Sequence, residues 1–270
     1  MDRVISYYES FDEWGRLERE PLEFTINWHF IQQYLPEQGE VLDNGAGPGK
    51  YAMKLAEQGY KVTLADITPR LVEIGKAKAE QLGLLEQFSA FEVVDARDLS
   101  RFTDSQFDAS FMLGPLYHLQ LESDRITAVQ ELARVTKAGG MVFVAFMPRV
   151  RFVLSSLMAP ENWKPNDHAG QIASFMESGA FDHQDEGRFT GAYYYKVEDI
   201  QPFMEAYGFE TLKMIGSSHI GSLLSKDQWS YWKDRGNEEY EAVIDILKKT
   251  AEDPYLLGVS GHILYLGRKI

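Results

Sequence analysis

The chain has 270 residues, 27 Lys and Arg against 41 Asp and Glu, a formal net charge of −14 and no cysteine. That length can bury a full core in one enlarged domain; the acidic balance disfavours a nucleic-acid partner, whose phosphates need an excess of basic side chains; and without thiols, disulfides, thiolate metal sites and cysteine nucleophiles are excluded. The start Met1-Asp2-Arg3-Val4-Ile5-Ser6 has no basic-then-apolar leader and no apolar run approaches the ~18 residues of a membrane span, so a soluble, cytoplasmic protein without a membrane partner is expected.

Residues 1–20 gather Tyr7, Tyr8, Phe11 and Trp14 with Arg16 and Arg19, and read as helical segments packed on the domain. From Pro21 to Leu35, Phe24, Trp28, Ile31 and Leu35 recur at helical spacing, with Pro21 suited to a first turn and Pro36 just past the end. Glu40–Asn44 is a short apolar strand that runs into a turn of Gly45, Gly47 and Gly49, and Lys50–Gln58 then forms a helix closed by Gly59. A strand that ends in glycines and feeds a helix gathers backbone N–H groups and the positive helix end at one point, which suits carboxylate or hydroxyl oxygens of a ligand. The dinucleotide fingerprint G-x-G-x-x-G fails, because its third glycine position falls on Lys50. The residues spell D-x-G-x-G-x-G instead, from Asp43 to Gly49.

Lys61–Asp66 reads as a second buried parallel strand. Asp66, followed by Ile67, stands about 20 residues after Gly47, where an acidic side chain reaches a ribose and accepts from both hydroxyls of its cis-diol. Thr68-Pro69 caps a helix to Leu82, stopped by Gly83. The third strand, Phe88–Val94, ends at Asp95-Ala96-Arg97, and the fourth, Phe107–Leu113, runs into Gly114-Pro115-Leu116-Tyr117-His118. Ligands of open α/β sheets sit at such carboxyl ends of strands. Ser123–Lys137 is a helix ended by Gly139-Gly140, and Met141–Phe146 is an apolar fifth strand. Strict alternation of strand and helix calls for a parallel sheet with right-handed crossovers.

Residues 148–190 mix prolines, glycines, aromatics and histidines over a span too long for a structureless loop, and read as a helical cap over the active site. Val197–Tyr207 is a helix, and Phe209–Ile215 and His262–Arg268 are the last two strands. Between them, at about residues 218–260, Trp229, Trp232, Tyr240, Val243, Ile244 and Leu247 mark two added helices, read first as a structural flap or dimer surface. A monomer or homodimer is expected.

In its Asp43–Gly49 motif the chain resembles the class I S-adenosylmethionine-dependent methyltransferases, with specific motifs over residues 37–147 and pattern alone over 189–270. The resemblance implies an α/β, Rossmann-like fold: a seven-stranded, mostly parallel sheet with the last strand antiparallel and helices on both faces. Residues 1–36 would form a lid, 37–147 the cofactor-binding core, 148–190 the cap, and 191–270 the rest of the sheet with its helical insertion. It further implies S-adenosylmethionine as cofactor, held by Asp43, Gly45, Ala46, Gly47 and Gly49 at the turn, Asp66 and Ile67 at the ribose, and Leu113 and Gly114 beside the methyl group. Asp95, or else Asp98, would accept from the adenine amino group, with Ala96 and Arg97 beside it. Tyr8 and Arg19 of the lid would reach the methionine carboxylate. The Asn/Asp-Pro-Pro-Tyr signature of enzymes acting on amide or exocyclic amino nitrogens is absent after the fourth strand. That loop is similar instead to small-molecule methyltransferases, including a bacterial group with a Leu-Gly-Pro-Leu-Tyr-His-like sequence.

A sulfonium methyl is already activated, so the remaining tasks are to align a nucleophile, exclude water and remove one proton. No metal is required, and the six histidines show no ligand spacing. His118 is the candidate base, or else a histidine that caps a helix or bonds a backbone carbonyl; Tyr117 would orient the substrate, and His168 and His183 are lesser candidates from the cap. A neutral amine acceptor would need no base. The expected activity is methyl transfer to an O, N or C atom of a small molecule, giving S-adenosylhomocysteine. The rivals are an RNA or protein methyltransferase, an NAD-dependent oxidoreductase, and a cofactor-binding module without catalysis.

Overall fold

The computed structural model describes residues 2–11, 14–15, 21–184 and 191–270, with residues 2–4 and 10 described by backbone alone. Seven strands build one sheet: β1 (Glu40–Asn44), β2 (Lys61–Asp66), β3 (Phe88–Val93), β4 (Phe107–Met112), β5 (Thr136–Phe146), β6 (Phe209–Gly216) and β7 (Ile263–Lys269). Their spatial order is β3-β2-β1-β4-β5-β7-β6. Strands β1 to β5 pair in parallel, and β7 lies antiparallel between β5 and β6. The chain steps outward from β1 to β3 and then returns to lay β4 on the other side of β1. The connections that leave β1 and β4 therefore run in opposite directions along the sheet, which makes the carboxyl rim there the switch point at which ligands of open α/β sheets sit.

Helices cover both faces: α1 (Asp2–Ser10), α2 (Pro21–Tyr34), α3 (Lys50–Glu57), α4 (Pro69–Gln81), the single turn α5 (Pro115–His118), α6 (Glu122–Val135), α7 (Arg149–Met158), α8 (Ala169–Ser178), α9 (Val197–Glu205), α10 (Lys226–Asp234) and α11 (Asn237–Thr250). Alternation along the central strands explains why those strands are apolar throughout. In β5, Met141 and Phe143 join Ile26, Phe30, Leu55 and Leu247 on one face; Val142, Val144 and Phe146 join Val129, Leu132, Ile200 and Met204 on the other. In β7, Leu264 and Leu266 face the first cluster, and Ile263 and Tyr265 the second.

Most boundaries shift by a residue or two from the sequence reading, and one differs in kind. Helix α6 ends at Val135, and Gly139 and Gly140 lie within β5 rather than past a helix end. Thr136 Oγ1 donates to the Leu132 carbonyl (2.7 Å), occupying a helix-end acceptor without any glycine. The glycines serve the strand: a Cβ on Gly140 would stand 2.8 Å from the Lys137 carbonyl oxygen and 3.0 Å from that of Asp108, where the pairing with β4 slips.

Between β5 and β6, α7 and α8 pack with a two-residue ladder (Ala180–Phe181 with Ala192–Tyr193) around Phe152, Phe175, Phe181 and Tyr194, a small aromatic core of its own. Buried Arg149 ties this unit down, donating to the carbonyls of Tyr194, Met176 and Glu177. Between β6 and β7 stand α10 and α11; buried His219, just after β6, bonds the Leu247 carbonyl through Nε2 (2.9 Å). No described helix is long and apolar enough to cross a membrane.

Candidate active site

At the end of β1 the backbone takes left-handed values at Gly45, Gly47 and Gly49, a conformation that L side chains rarely adopt. Gly45 is also forced by space, since a Cβ there would lie 2.2 Å from the Pro115 side chain, which brings the β1 and β4 turns into contact. Gly49 has another use: its missing Cβ lets the start of α3 sit on Leu64 of β2, and it does not line the cavity between the turns. That cavity holds about 960 Å³ of space, open mouth included.

Asp43 lies in the cavity wall and is 2% exposed. Burial pushes its carboxyl up to about 7, the Ala52 N–H works against that rise, and the Asp66 charge adds to it. Its Oδ2 is buried and accepts no hydrogen bond among the described residues. A buried acceptor of this kind calls for a donor from a ligand, and an ammonium group satisfies charge and hydrogen bond together. Next to it, Asp66 accepts from Gly47 N–H (2.8 Å) and Thr68 N–H (2.8 Å), which fixes its carboxylate at the β2 tip. A glycine cradle, an acceptor in need of a donor and a fixed carboxylate fit the amino-acid and ribose parts of S-adenosylmethionine.

At the β3 tip the expected roles divide. Val94 and Ala96 line the cavity, whereas Asp95 and Arg97 do not. Arg97 grips Asp95 through Nε (3.0 Å) and Nη2 (2.6 Å) and reaches Asp124 through Nη1 (2.8 Å). Burial raises the Asp95 carboxyl, but the Arg97 hydrogen bonds outweigh it and hold Asp95 below the usual carboxylate range. Asp95 and Arg97 thus serve each other rather than the cavity. The alternative, Asp98, accepts from Ser100 N–H (3.1 Å) at the exposed surface.

After β4, Leu113, Gly114, Pro115, Tyr117 and His118 all line the cavity. Tyr117 donates from its hydroxyl to the Leu113 carbonyl (3.2 Å), closing the α5 turn on itself. His118 Nε2 meets the Tyr8 hydroxyl at 3.2 Å. Its imidazole is pushed down to about 4, chiefly by burial and also by His262, with a Gly191 backbone hydrogen bond opposing. It is therefore uncharged at neutral pH and holds a proton weakly, whereas an efficient general base titrates near the working pH. Arg70 Nη1 donates to the carbonyls of Tyr8 (3.2 Å) and Phe11 (3.4 Å), holding the end of α1 against α4. Arg19 lies outside the described residues.

No described residue of 148–184 lines the cavity. His168 is exposed, and His183 bonds the Asn162 carbonyl (2.9 Å), so neither reaches in. The segment is tied to the chain just past the α5 turn, where Gln120 Nε2 donates to the Phe181 carbonyl (3.0 Å). Sequence reasoning missed Glu23, Asn44, Tyr51, Thr68, Leu71, Val94 and Pro115 as cavity residues. Glu23 sits in the first turn of α2, where an acidic residue is already explained by the helix dipole. Its partner is distant: Glu23 Oε2 accepts from His262 Nδ1 at 2.8 Å, and the His262 ring lies against Tyr117 with centroids 5.3 Å apart.

Residues 41–140 match the family model described as Methyltransferase domain. The chain is 27% identical to the tRNA 5-carboxymethoxyuridine methyltransferase of Escherichia coli (strain K12) over 141 residues, 50% of this chain and 52% of that protein. It thus spans about half the length of that curated relative. A longer match, 28% identity over 241 residues, covers 87% of this chain and 82% of the glycine/sarcosine N-methyltransferase of Parasynechococcus marenigrum (strain WH8102). Among solved structures, a S-adenosylmethionine-dependent methyltransferase from Methanosarcina mazei superposes with a TM-score of 0.61 at 20% identity, covering 89% of this chain and 97% of that one. The family match falls on the very segment that folds into the Asp43–Gly49 cradle and the β2 to β4 rim, and over that segment the chain is similar to a methyltransferase domain.

Proposed function

We propose that this protein transfers a methyl group to an O, N or C atom of a small-molecule acceptor, with S-adenosylhomocysteine as the second product. The observation that carries this reading is one continuous cavity in which the buried acceptor Asp43 Oδ2, the Asp66 carboxylate and the Leu113–His118 turn share the carboxyl rim of the sheet. S-adenosylmethionine, when bound, supplies a methyl group already activated on a sulfonium. Asp43 and the Gly45–Gly47 backbone hold the amino-acid end, Asp66 the ribose, and Val94, Ala96, Ile67 and Leu71 an apolar slot for the base. Tyr8, Tyr117 and neutral His118 shield the reacting end from water and orient the acceptor, with the Tyr8–His118 contact closing that side.

A small acceptor is favoured over RNA. The longer match to a relative named for glycine and sarcosine supports it, as does a cavity whose charged described lining residues are the acids Glu23, Asp43 and Asp66, an environment that repels phosphate. Titration calorimetry tests the reading: S-adenosylhomocysteine is expected to bind with micromolar or tighter affinity and NADH not at all. Absence of binding at high micromolar S-adenosylhomocysteine, or heat from NADH instead, would reject it.

A further inference from the structure

The rim of the sheet orders the cavity from end to end. Val94 and Ala96 follow β3, Asp66 ends β2, Asp43 and Gly45 stand at β1, and Tyr117 and His118 follow β4. Because β7 is antiparallel, its first residues lie at the same rim: Ile263 pairs with Phe146 at the far end of β5, which places His262 two strands beyond β4. The nucleotide slot and His262 therefore occupy opposite ends, and Glu23, which lines the cavity and bonds His262, belongs to the end past the methyl position.

We propose that Glu23, backed by His262, is the recognition group for an amine acceptor. This rests on the methyltransferase reading and narrows its acceptor to one chemical class. Three features converge on it. Glu23 is a carboxylate whose neighbour His262 donates Nδ1–H to it at 2.8 Å, since an ionised carboxylate has no proton to give. The pair is only partly exposed, with side chains 26% and 19% accessible, so its charge is less screened than at the surface. Tyr8, Tyr51 and Tyr117 line the same cavity, and aromatic rings attract ammonium groups. An anionic acceptor would meet acid on this wall, and an alcohol would gain neither the charge nor the ring contacts.

An amine reaches the site chiefly as its ammonium form, without a lone pair to offer. Glu23 accepts one proton from it: the N–H bond breaks, an O–H bond forms on the carboxyl, and the electron pair stays on nitrogen. His262 is a positioning residue in this account, because it fixes the Glu23 carboxylate without entering the cavity lining.

The test uses the full chain saturated with S-adenosylhomocysteine and three probes of one shape: benzylammonium, benzyl alcohol and benzoate, titrated by calorimetry. Benzylammonium is expected to bind at least tenfold more tightly than benzyl alcohol, and benzoate more weakly than either. E23Q should abolish the ammonium preference while leaving S-adenosylhomocysteine affinity within about twofold. H262A should reduce that preference at least threefold with benzyl alcohol affinity unchanged, a pattern that loss of local folding would not give. If benzoate binds best, if no probe binds the loaded protein, or if E23Q keeps the ammonium preference, the inference is overturned while the cofactor reading stands. If S-adenosylhomocysteine itself fails to bind, both fall.

Discussion

Asp43 shows how one side chain can work against the fold and for the ligand. Its carboxyl rises from an ordinary 3.8 to about 7 on folding, chiefly through burial. A raised carboxylate costs stability: the penalty is absent below pH 3.8 and grows until the pH passes about 7, because the unfolded chain ionises first. Asp43→Asn removes the charge but keeps an oxygen for the Ala52 N–H. The ligand-free variant is therefore expected to melt higher than the parent at pH 8, by about 2–4 °C for each kcal/mol recovered, and to converge with it near pH 4. Its affinity for S-adenosylhomocysteine should fall tenfold or more, since Oδ2 is the acceptor awaiting a cation. Calorimetry paired with melting curves at the two pH values checks both signs. At this scale the sequence was legible where backbone geometry dictates residue type: Asp43, Gly45 and Gly47 announce a cradle by spacing alone. It was illegible where neighbours compete for one group. Arg97 claims the Asp95 carboxylate, and nothing in the string Asp95-Ala96-Arg97 says which partner wins.

Among the elements, periodicity read well and boundaries read less well. The two-faced burial of β5 follows directly from its continuous apolar run, so its place in a covered sheet could be argued in advance. The end of α6 could not, because a glycine pair looks the same past a helix as inside a slipped strand, and only the contact of Gly140 with Asp108 distinguishes them. The segment between β5 and β6 illustrates the local autonomy that an aromatic core confers. Phe152 is 3% exposed and its ring centre lies 4.4–4.8 Å from those of Tyr194, Phe181, Phe175 and Trp163. Phe152→Ala is expected to cost that unit about 3–5 kcal/mol. Hydrogen exchange should accelerate across α7 and α8 and remain slow in β1, β2 and β4; equal acceleration in both regions would show that the unit and the sheet open together.

For the whole molecule, charge and topology pull in one direction. A chain of net charge −14 repels a polyanion at long range, and the acids lining the cavity repeat that sign at the site. Bulk unmodified tRNA is accordingly expected to show no gel shift at micromolar protein in physiological salt, and saturable binding there would reopen the RNA alternative. The Glu23–His262 contact has a further consequence for how the chain comes together. It joins positions 239 residues apart, whereas the cradle from Asp43 to Asp66 is built by one strand–turn–helix–strand unit. During synthesis the cofactor half has its parts long before residue 262 emerges, so closure of the second wall waits on a distant encounter. A nascent chain halted just short of that residue would carry the Asp43–Asp66 cradle complete while the Glu23 carboxylate on the opposite wall still lacked its support.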